Sequence, residues 1–299
     1  NINYNKNARI YHMNCIIIGT GKIGVDLYIK CLKSKNFKKI FIFNQDKNSE
    51  GAKYCLKKKF NYSSKGIGGV IKNLKDTKII FDATSAKSNI LILKKLRKLI
   101  NNKYFINLTP SINGEYVIPY INTNKIPQIT NLITCGGQTS IPVINEVKNI
   151  LGPKLKYVEL VSNIAAKSAG KATRDNIDEY ITNTERAIRK ITKVNKIKVM
   201  ININPAEPPV NMMNSLFFEL TKDISKKDLK KIENSISKIN SRIKIYMPKY
   251  NASIFETIEK KILRISIEVI GHGDSLPKYA GNLDIMTSSA VHLSNSIHD

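Results

Sequence analysis

The chain has 299 residues, 42% of them hydrophobic, and 49 Lys and Arg against 23 Asp and Glu give it a formal charge of +26. That length buries one or two sizeable cores, and two domains of about 150 residues each are expected. Its strongly apolar stretches, such as Cys15 to Ile18 and Ile79 to Phe81, are far shorter than the roughly 20 residues that cross a bilayer, which excludes a membrane role and predicts a soluble protein.

The basic residues are scattered rather than clustered. Lys, Ile and Asn are over-used together, as AT-rich coding produces, so no specific nucleic-acid partner is expected. A secondary benefit of the charge is the steering of anionic cofactors. Cys15, Cys31, Cys55 and Cys135 fall at wide, irregular intervals without a CxxC pair or neighbouring histidines. This predicts neither a metal site nor a disulfide framework, and a reducing, cytoplasmic setting. Residues 1–12 are polar, precede Met13, and are not followed by the apolar core of a signal peptide. They read as an extension of unknown role.

In chain order, the first half predicts a strand at Cys15–Ile18, a helix at Ile23–Leu32, a strand at Lys39–Phe43 and a helix at Gly51–Lys58. A strand at Ile79–Ala83, a helix at Ser88–Ile100 and a strand at Tyr104–Leu108 follow. Strands alternating with helices imply right-handed crossovers and a doubly wound, Rossmann-type α/β sheet. After Gly137 a helix is predicted over Thr139–Ile150, then β-rich runs at Tyr157–Asn163 and Lys196–Asn202 around a long helix near Ile177–Ile191. Further β-rich runs are predicted at Arg242–Tyr246 and Lys261–Val269, which makes the second half an α+β domain. The boundary is expected near residue 135.

Gly19-Thr20-Gly21-Lys22-Ile23-Gly24 is a GxGxxG between the first strand and the first helix. In that setting the first glycine permits a tight turn, the second lets backbone approach a pyrophosphate, and the third allows close helix packing. The free N–H groups of the helix start face the phosphates. Asp46, after the second strand, suits a ribose 2′-hydroxyl and repels a 2′-phosphate, favouring NAD over NADP.

Cys135 lies in Thr134-Cys135-Gly136-Gly137-Gln138, just ahead of the expected helix. A helix N-terminus lowers a thiol's ordinary pKa of about 8.5 toward the reactive thiolate, and the glycines offer N–H groups to an oxyanion. Taken alone, a cysteine is more often a small buried apolar side chain, a reading that is stronger still for Cys15, Cys31 and Cys55. His12, His272, His292 and His298 form no triad or metal spacing with carboxylates.

Several blocks occur in order from about residue 14 to 290: the glycine turn, Phe81-Asp82-Ala83-Thr84-Ser85-Ala86, Leu108-Thr109-Pro110 and Thr134 to Gln138. Lys167-Ser168-Ala169-Gly170 with Thr173-Arg174, Asn204-Pro205-Ala206-Glu207-Pro208-Pro209, and Tyr279 to Thr287 complete the set. Together they resemble the acetylating acetaldehyde dehydrogenases of bacterial meta-cleavage pathways. The resemblance implies an NAD-binding domain over residues 13–134, completed by 278–299, and a catalytic and dimerisation domain over 135–277. It implies Cys135 as the acyl-thioester nucleophile, with NAD as oxidant and coenzyme A as co-substrate. Cofactor contacts are implied from Gly19, Thr20, Gly21, Lys22, Ile23 and Gly24, from Ala166, Lys167, Ser168, Ala169, Gly170, Lys171, Ala172, Thr173 and Arg174, and from Asn282. A homodimer and a 4-hydroxy-2-oxovalerate aldolase partner are also implied.

Two departures stand out. Lys171-Ala172 replaces the family's Pro-Gly, and Met213-Asn214 replaces its Arg-Asp, so an amide stands where a carboxylate could assist proton transfer. Asparagine cannot act as a general base, which leaves slower catalysis, water, or Glu207 as the alternatives. Lys167 and Arg174 read equally as phosphate ligands or as structural cations. The expected reaction is oxidation of acetaldehyde, or another short aldehyde, by NAD and coenzyme A. Two rivals are a phosphorylating or semialdehyde dehydrogenase of similar build, which would also need a histidine base and an arginine clamp, and a catalytically impaired structural subunit.

Overall fold

The computed structural model describes residues 13–258 and 261–297, without the side chains of Lys171, Ala172, Thr257 and Ile258. The extension 1–12, with His12, and His298 lie outside the described residues. Within them, Met13–Ile18 (β1), Phe37–Phe43 (β2), Tyr62–Ser63 (β3), Ile79–Asp82 (β4), Tyr104–Asn107 (β5), Glu115–Tyr116 (β6) and Ile129–Asn131 (β7) form one sheet. Its order is β3-β2-β1-β4-β5-β7-β6, and neighbouring strands run parallel. Helices Lys22–Lys33 (α1), Glu50–Lys57 (α2), Gly66–Lys72 (α3) and Ala86–Leu96 (α4) return the chain between strands. β4 is buried at every position and β1 at all but one, the uninterrupted apolar run of a strand covered on both faces. The doubly wound sheet read from the sequence is therefore present, and its strand order reverses between β1 and β4, where such sheets bind their ligands.

The second sheet comprises Leu155–Ala165 (β8), Ile197–Asn204 (β9), Met212–Leu220 (β10), Tyr250–Ile258 (β11) and Ile262–Val269 (β12). Its order is β11-β12-β10-β8-β9, antiparallel except for β8 beside β9. Helices Cys135–Leu151 (α5), Ile177–Thr192 (α7) and Lys226–Ile243 (α8) cover one face; the short helix Lys171–Asp175 (α6) precedes α7. Along β10 the alternate residues Met212, Asn214, Leu216, Phe218 and Leu220 are buried, while Met213, Ser215, Phe217 and Glu219 lie half-buried on the other face.

Three local expectations are corrected. The helix expected from Thr139 begins at Cys135, because Thr134 caps it by accepting the Gly137 N–H at 3.1 Å. Arg242–Tyr246 is not β-rich. It is the end of α8 and the turn after it, since Ile232, Ile236, Ile239 and Ile243 form one buried helical stripe. The helix expected at Ser88–Ile100 starts at Ala86, with Ser85 accepting from Ser88 N, and ends at Leu96.

The last helix, Gly281–Ser294 (α9), packs on α1. A buried polar network joins them: Lys30 is ion-paired with both Asp26 and Asp284, and the hydroxyls of Ser275 and Thr287 donate to Asp26 at 2.5 and 2.6 Å. His272 meets Asp284 through its ring at 2.9 Å and its N–H at 2.8 Å. No helix among the described residues is long and apolar enough to cross a membrane.

Candidate active site

Three segments distant in sequence converge at the switch point. At the glycine turn, Gly19 holds φ +105°, and a Cβ there would fall 2.7 Å from Ala83 O; a Cβ on Gly24 would fall 2.0 Å from Gly19 O. Both positions therefore exclude larger residues, whereas Gly21 faces open space. Lys22 Nζ donates to Lys167 O at 3.1 Å, drawing the loop after β8 over the turn. Ile23 packs on Leu276, Ala280 and Leu283 of the C-terminal segment.

The residues present fit a dinucleotide. Helix α1 starts without an acidic residue in its first turn and without a side-chain cap, so its N–H groups and dipole are available to a pyrophosphate. Gly170 in the overlying loop also faces open space, and Asn282 carries a buried side-chain oxygen with no hydrogen-bond partner. Beside them a cavity of about 230 Å³, lined by Gly19, Phe43, Asn44, Ile67, Thr84 and Leu91 among others, opens across the ends of β1, β2 and β4. Thr20 is buried and accepts from Asn44 Nδ2 at 2.7 Å. Asp46 is exposed at the mouth of this region and accepts the Asn48 N–H at 2.9 Å.

Within the loop over the turn, Arg174 donates to Ala169 O and Ala166 O at 3.2 and 3.1 Å, and Ser168 to Ala165 O at 2.8 Å. Arg174 thus folds the loop on itself, which favours the structural of its two readings. Thr173 donates its N–H to Gly170 O at 3.1 Å. Lys167 pairs with Glu207 at 2.7 Å on the surface, so Glu207 sits against the cofactor loop; its hydrogen bond and ion pair go to Lys167. The side chains of Lys171 and Ala172 lie outside the described residues.

Cys135 is the first residue of α5 and the one cysteine of the four that is not fully buried. Its start is fixed from behind: Ile133, a β-branched residue, is held at φ +68°. The Asn131 side chain accepts its N–H at 2.6 Å, and Asn183 donates to its carbonyl at 3.2 Å. Such a conformation costs energy and persists only where surrounding contacts impose it.

The Cys135 sulfur lies 3.9 Å from the Tyr180 hydroxyl, which donates to Ser162 Oγ at 3.1 Å. Burial pushes the thiol up to about 11, against hydrogen bonds from Tyr180 and the Gly136 N–H that pull it down. The helix-start effect expected from the sequence is thus outweighed in this uncharged pocket. Burial, and then the neighbouring Cys135, hold the Tyr180 phenol well above its usual value, so it stays protonated and can donate. Of the two glycine N–H groups, that of Gly137 is used by the Thr134 cap, which leaves that of Gly136 beside the sulfur.

Asn214 sits one helical turn behind the thiol. It is 1% exposed, and its amide donates to Thr139 Oγ1 at 2.5 Å and Ser140 Oγ at 2.8 Å. Thr139 in turn donates to Cys135 O at 2.9 Å. The residues that sequence reasoning missed are Tyr180, Ser162 and Thr139. Tyr180 shows itself only as one apolar position on an amphipathic helix, and nothing local ties it to Cys135 45 positions away.

A Rossmann-type domain with a glycine turn, a second mixed sheet and a cysteine at a helix start define a dinucleotide-dependent dehydrogenase. Residues 135–277 match the family described as prokaryotic acetaldehyde dehydrogenase, dimerisation, and residues 3–110 match that of shikimate / quinate 5-dehydrogenase. The acetaldehyde dehydrogenase of Pectobacterium atrosepticum is 34% identical across 99% of this chain and 97% of its own length. Those of Geobacillus stearothermophilus and Bacillus cereus are 37% and 39% identical, over 94% and 92% of this chain and 94% and 90% of their own. The chain belongs to the acetaldehyde dehydrogenase family. An aspartate semialdehyde dehydrogenase II of Vibrio cholerae, solved in complex with ASA, shares the fold with TM-score 0.62 at 11% identity, covering 95% of this chain and 98% of that one. A dehydrogenase family on a Rossmann-type sheet implies NAD(P) as oxidant.

Proposed function

We propose that the protein oxidises acetaldehyde with NAD and coenzyme A to acetyl-CoA through a thioester on Cys135. The observation that carries this reading is the placement of Cys135 at the first position of α5, with the Tyr180 hydroxyl 3.9 Å from its sulfur. Ser162, which holds Tyr180, lies on β8, and β8 runs on into the loop over the glycine turn.

The thiolate attacks the aldehyde carbon. A C–S bond forms, and the carbonyl electron pair moves onto oxygen, where the Gly136 N–H and the helix dipole stabilise it. NAD, when bound, accepts the hydride from that carbon. The glycine turn, Lys22 and the loop 166–174 would hold the dinucleotide, and Asn282 would offer it a buried carbonyl oxygen that has no other partner. Coenzyme A thiolate then attacks the thioester and Cys135 departs as thiolate, an exchange of one thioester for another. Asp46 selects NAD by repelling a 2′-phosphate.

The division into a cofactor domain, 13–134 completed by 278–299, and a catalytic domain, 135–277, belongs to this proposal. So does a homodimer formed through the open face of the second sheet, where Val161 and Met200 are paired in register and Phe217 stands half-buried nearby. An aldolase that supplies the aldehyde, and a cytoplasmic setting, complete it.

The experiment is NADH formation from acetaldehyde and NAD, with and without coenzyme A, in the natural protein and in Cys135→Ala. Turnover that depends on coenzyme A and is lost in the variant is expected. Turnover that survives the variant overturns the reading.

A further inference from the structure

Among the described residues, no cationic side chain acts on the Cys135 sulfur. The groups acting on the Cys135 thiol are burial, the Tyr180 hydroxyl and the N–H groups of Gly136 and of Cys135 itself. A neutral, pre-aimed donor is what the pocket offers, and Tyr180 is built to be one. Its ring is buried in the core, and its hydroxyl sits between two partners, accepting from Cys135 Sγ at 3.9 Å and donating to Ser162 Oγ at 3.1 Å. The fit extends to the glycine after the cysteine: a Cβ on Gly136 would fall 2.2 Å from the Tyr180 hydroxyl and 2.7 Å from Ser162 Oγ. Any larger residue there would push the phenol off the first turn of α5.

We propose that Tyr180 is a catalytic residue whose O–H supplies the hydrogen bond to the Cys135 thiolate, with Ser162 as the partner that lets it reverse direction. This rests on the reading of Cys135 as the nucleophile. A hydroxyl is one donor and one acceptor, so the three-member chain can run either way. In the resting thiol it runs Cys135 S–H to Tyr180 to Ser162. When the thiol gives its proton to water, the chain reverses: Ser162 O–H donates to Tyr180, and Tyr180 O–H donates to sulfur. Tyr180 keeps its own proton throughout, and no covalent bond to it changes. The same donor receives the Cys135 thiolate when coenzyme A displaces it from the thioester, so one hydrogen bond serves both halves of the reaction.

The test is the pH profile of carbamidomethylation by iodoacetamide, in which the Cys135 sulfur displaces iodide, followed by mass spectrometry of the Cys135 peptide. The fully buried Cys15, Cys31 and Cys55 report unfolding in the same sample. In Tyr180→Phe the midpoint is expected to rise by about one pH unit, a roughly tenfold slower reaction at neutral pH, and kcat to fall with the KM for acetaldehyde little changed. Because that variant removes a buried hydroxyl, a second protein carries 3-fluorotyrosine at position 180, a more acidic phenol of nearly the same shape. There the midpoint is expected to fall. An unmoved midpoint in folded Tyr180→Phe, or one that does not fall with fluorotyrosine, overturns the role of Tyr180. Acyl transfer that persists in Cys135→Ala overturns instead the nucleophile on which it rests.

Discussion

Lys22 and Lys167 stand 145 positions apart, yet the ammonium of the first donates to the carbonyl of the second at 3.1 Å. Two like-charged side chains are thereby separated in role: Lys22 binds backbone, while Lys167 turns outward to Glu207. Lys22 is the tie between the glycine turn and the loop above it. A net hydrogen bond from a charged donor is worth about 1.5–3 kcal/mol. Lys22→Met is therefore expected to weaken NAD binding by roughly tenfold or more while leaving the melting temperature within a few degrees, as read by calorimetric titration and thermal unfolding. Unchanged affinity would falsify the tie.

Gly51, at the start of α2, backs directly onto the same turn, and a Cβ there would fall 1.5 Å from Thr20 O. No rotamer relieves a clash with backbone, so Gly51→Ala must move α2 away from the turn. Overpacking of this kind costs about 1–3 kcal/mol. Both a lower melting temperature and weaker NAD binding are expected, in contrast to Lys22→Met, where binding alone suffers. A variant that binds NAD normally would show that the turn tolerates displacement.

Asp284 is 1% exposed. Burial pushes its carboxyl up, but hydrogen bonds from His272 and the charge of Lys30 outweigh it, and the net direction is strongly down. A carboxyl whose native pKa lies below its unfolded value of about 4 contributes stability that is present above that value and is lost as pH falls through the native pKa. Asp284→Asn is expected to cost about 2 kcal/mol at pH 7, on the scale of a charged hydrogen bond. The gap to the natural protein should begin to narrow as pH drops below about 4 and close only as pH falls on through the depressed native value. Denaturant titrations in steps from pH 7 down to about pH 2 measure it, and a gap that stays constant over that whole range rules out this carboxyl as the source.

Asn214 donates to two hydroxyls, and one of them, that of Thr139, donates on to the backbone carbonyl of Cys135. An aspartate at 214 reverses both bonds, because Thr139 and Ser140 must then donate, and it places a carboxyl in a site with 1% exposure. Burial raises such a carboxyl above its ordinary range, so its destabilising effect grows as pH rises through the native pKa. Asn214→Asp is expected to melt lower than the natural protein, by a wider margin at pH 8 than at pH 5. Its rate is expected to change by less than tenfold, because the residue positions Cys135 without reaching the sulfur. A rate increase of a hundredfold would restore a general-base role to this position.

The first half of the chain was legible because its signals are local. The apolar runs of β1 and β4 and the glycines between β1 and α1 each decide their own conformation. In the second half the signals were weaker or pointed elsewhere. Helix α8 is rich in lysine, and its stripe of Ile232, Ile236, Ile239 and Ile243 was hidden because Ile243 also begins a short β-prone run. The start of α5 holds two glycines and Pro142, poor helix formers held in place by the Thr134 cap, the packing of Tyr180 and Ile133, and the Asn214 bonds to Thr139 and Ser140. Cys135 could be found from its own neighbours. Tyr180 and Ser162 could not, because what makes them a site is the distance between a helix and a strand that tertiary packing sets.

The clasp of α9 on α1 has a consequence for how the protein is made. Asp26 leaves the ribosome 261 positions before Thr287, the hydroxyl that solvates it in the folded core, and Lys30 emerges with it, ahead of Asp284. Until α9 emerges, Asp26 and Lys30 can pair only with each other, without the Asp284 carboxylate and the Thr287 hydroxyl, and a first lobe that stays open to water costs less than one that buries them so poorly satisfied. Although nascent chains tend to fold from the N-terminus, closure around α1 thus waits for α9, and the segments between them are free to pack first.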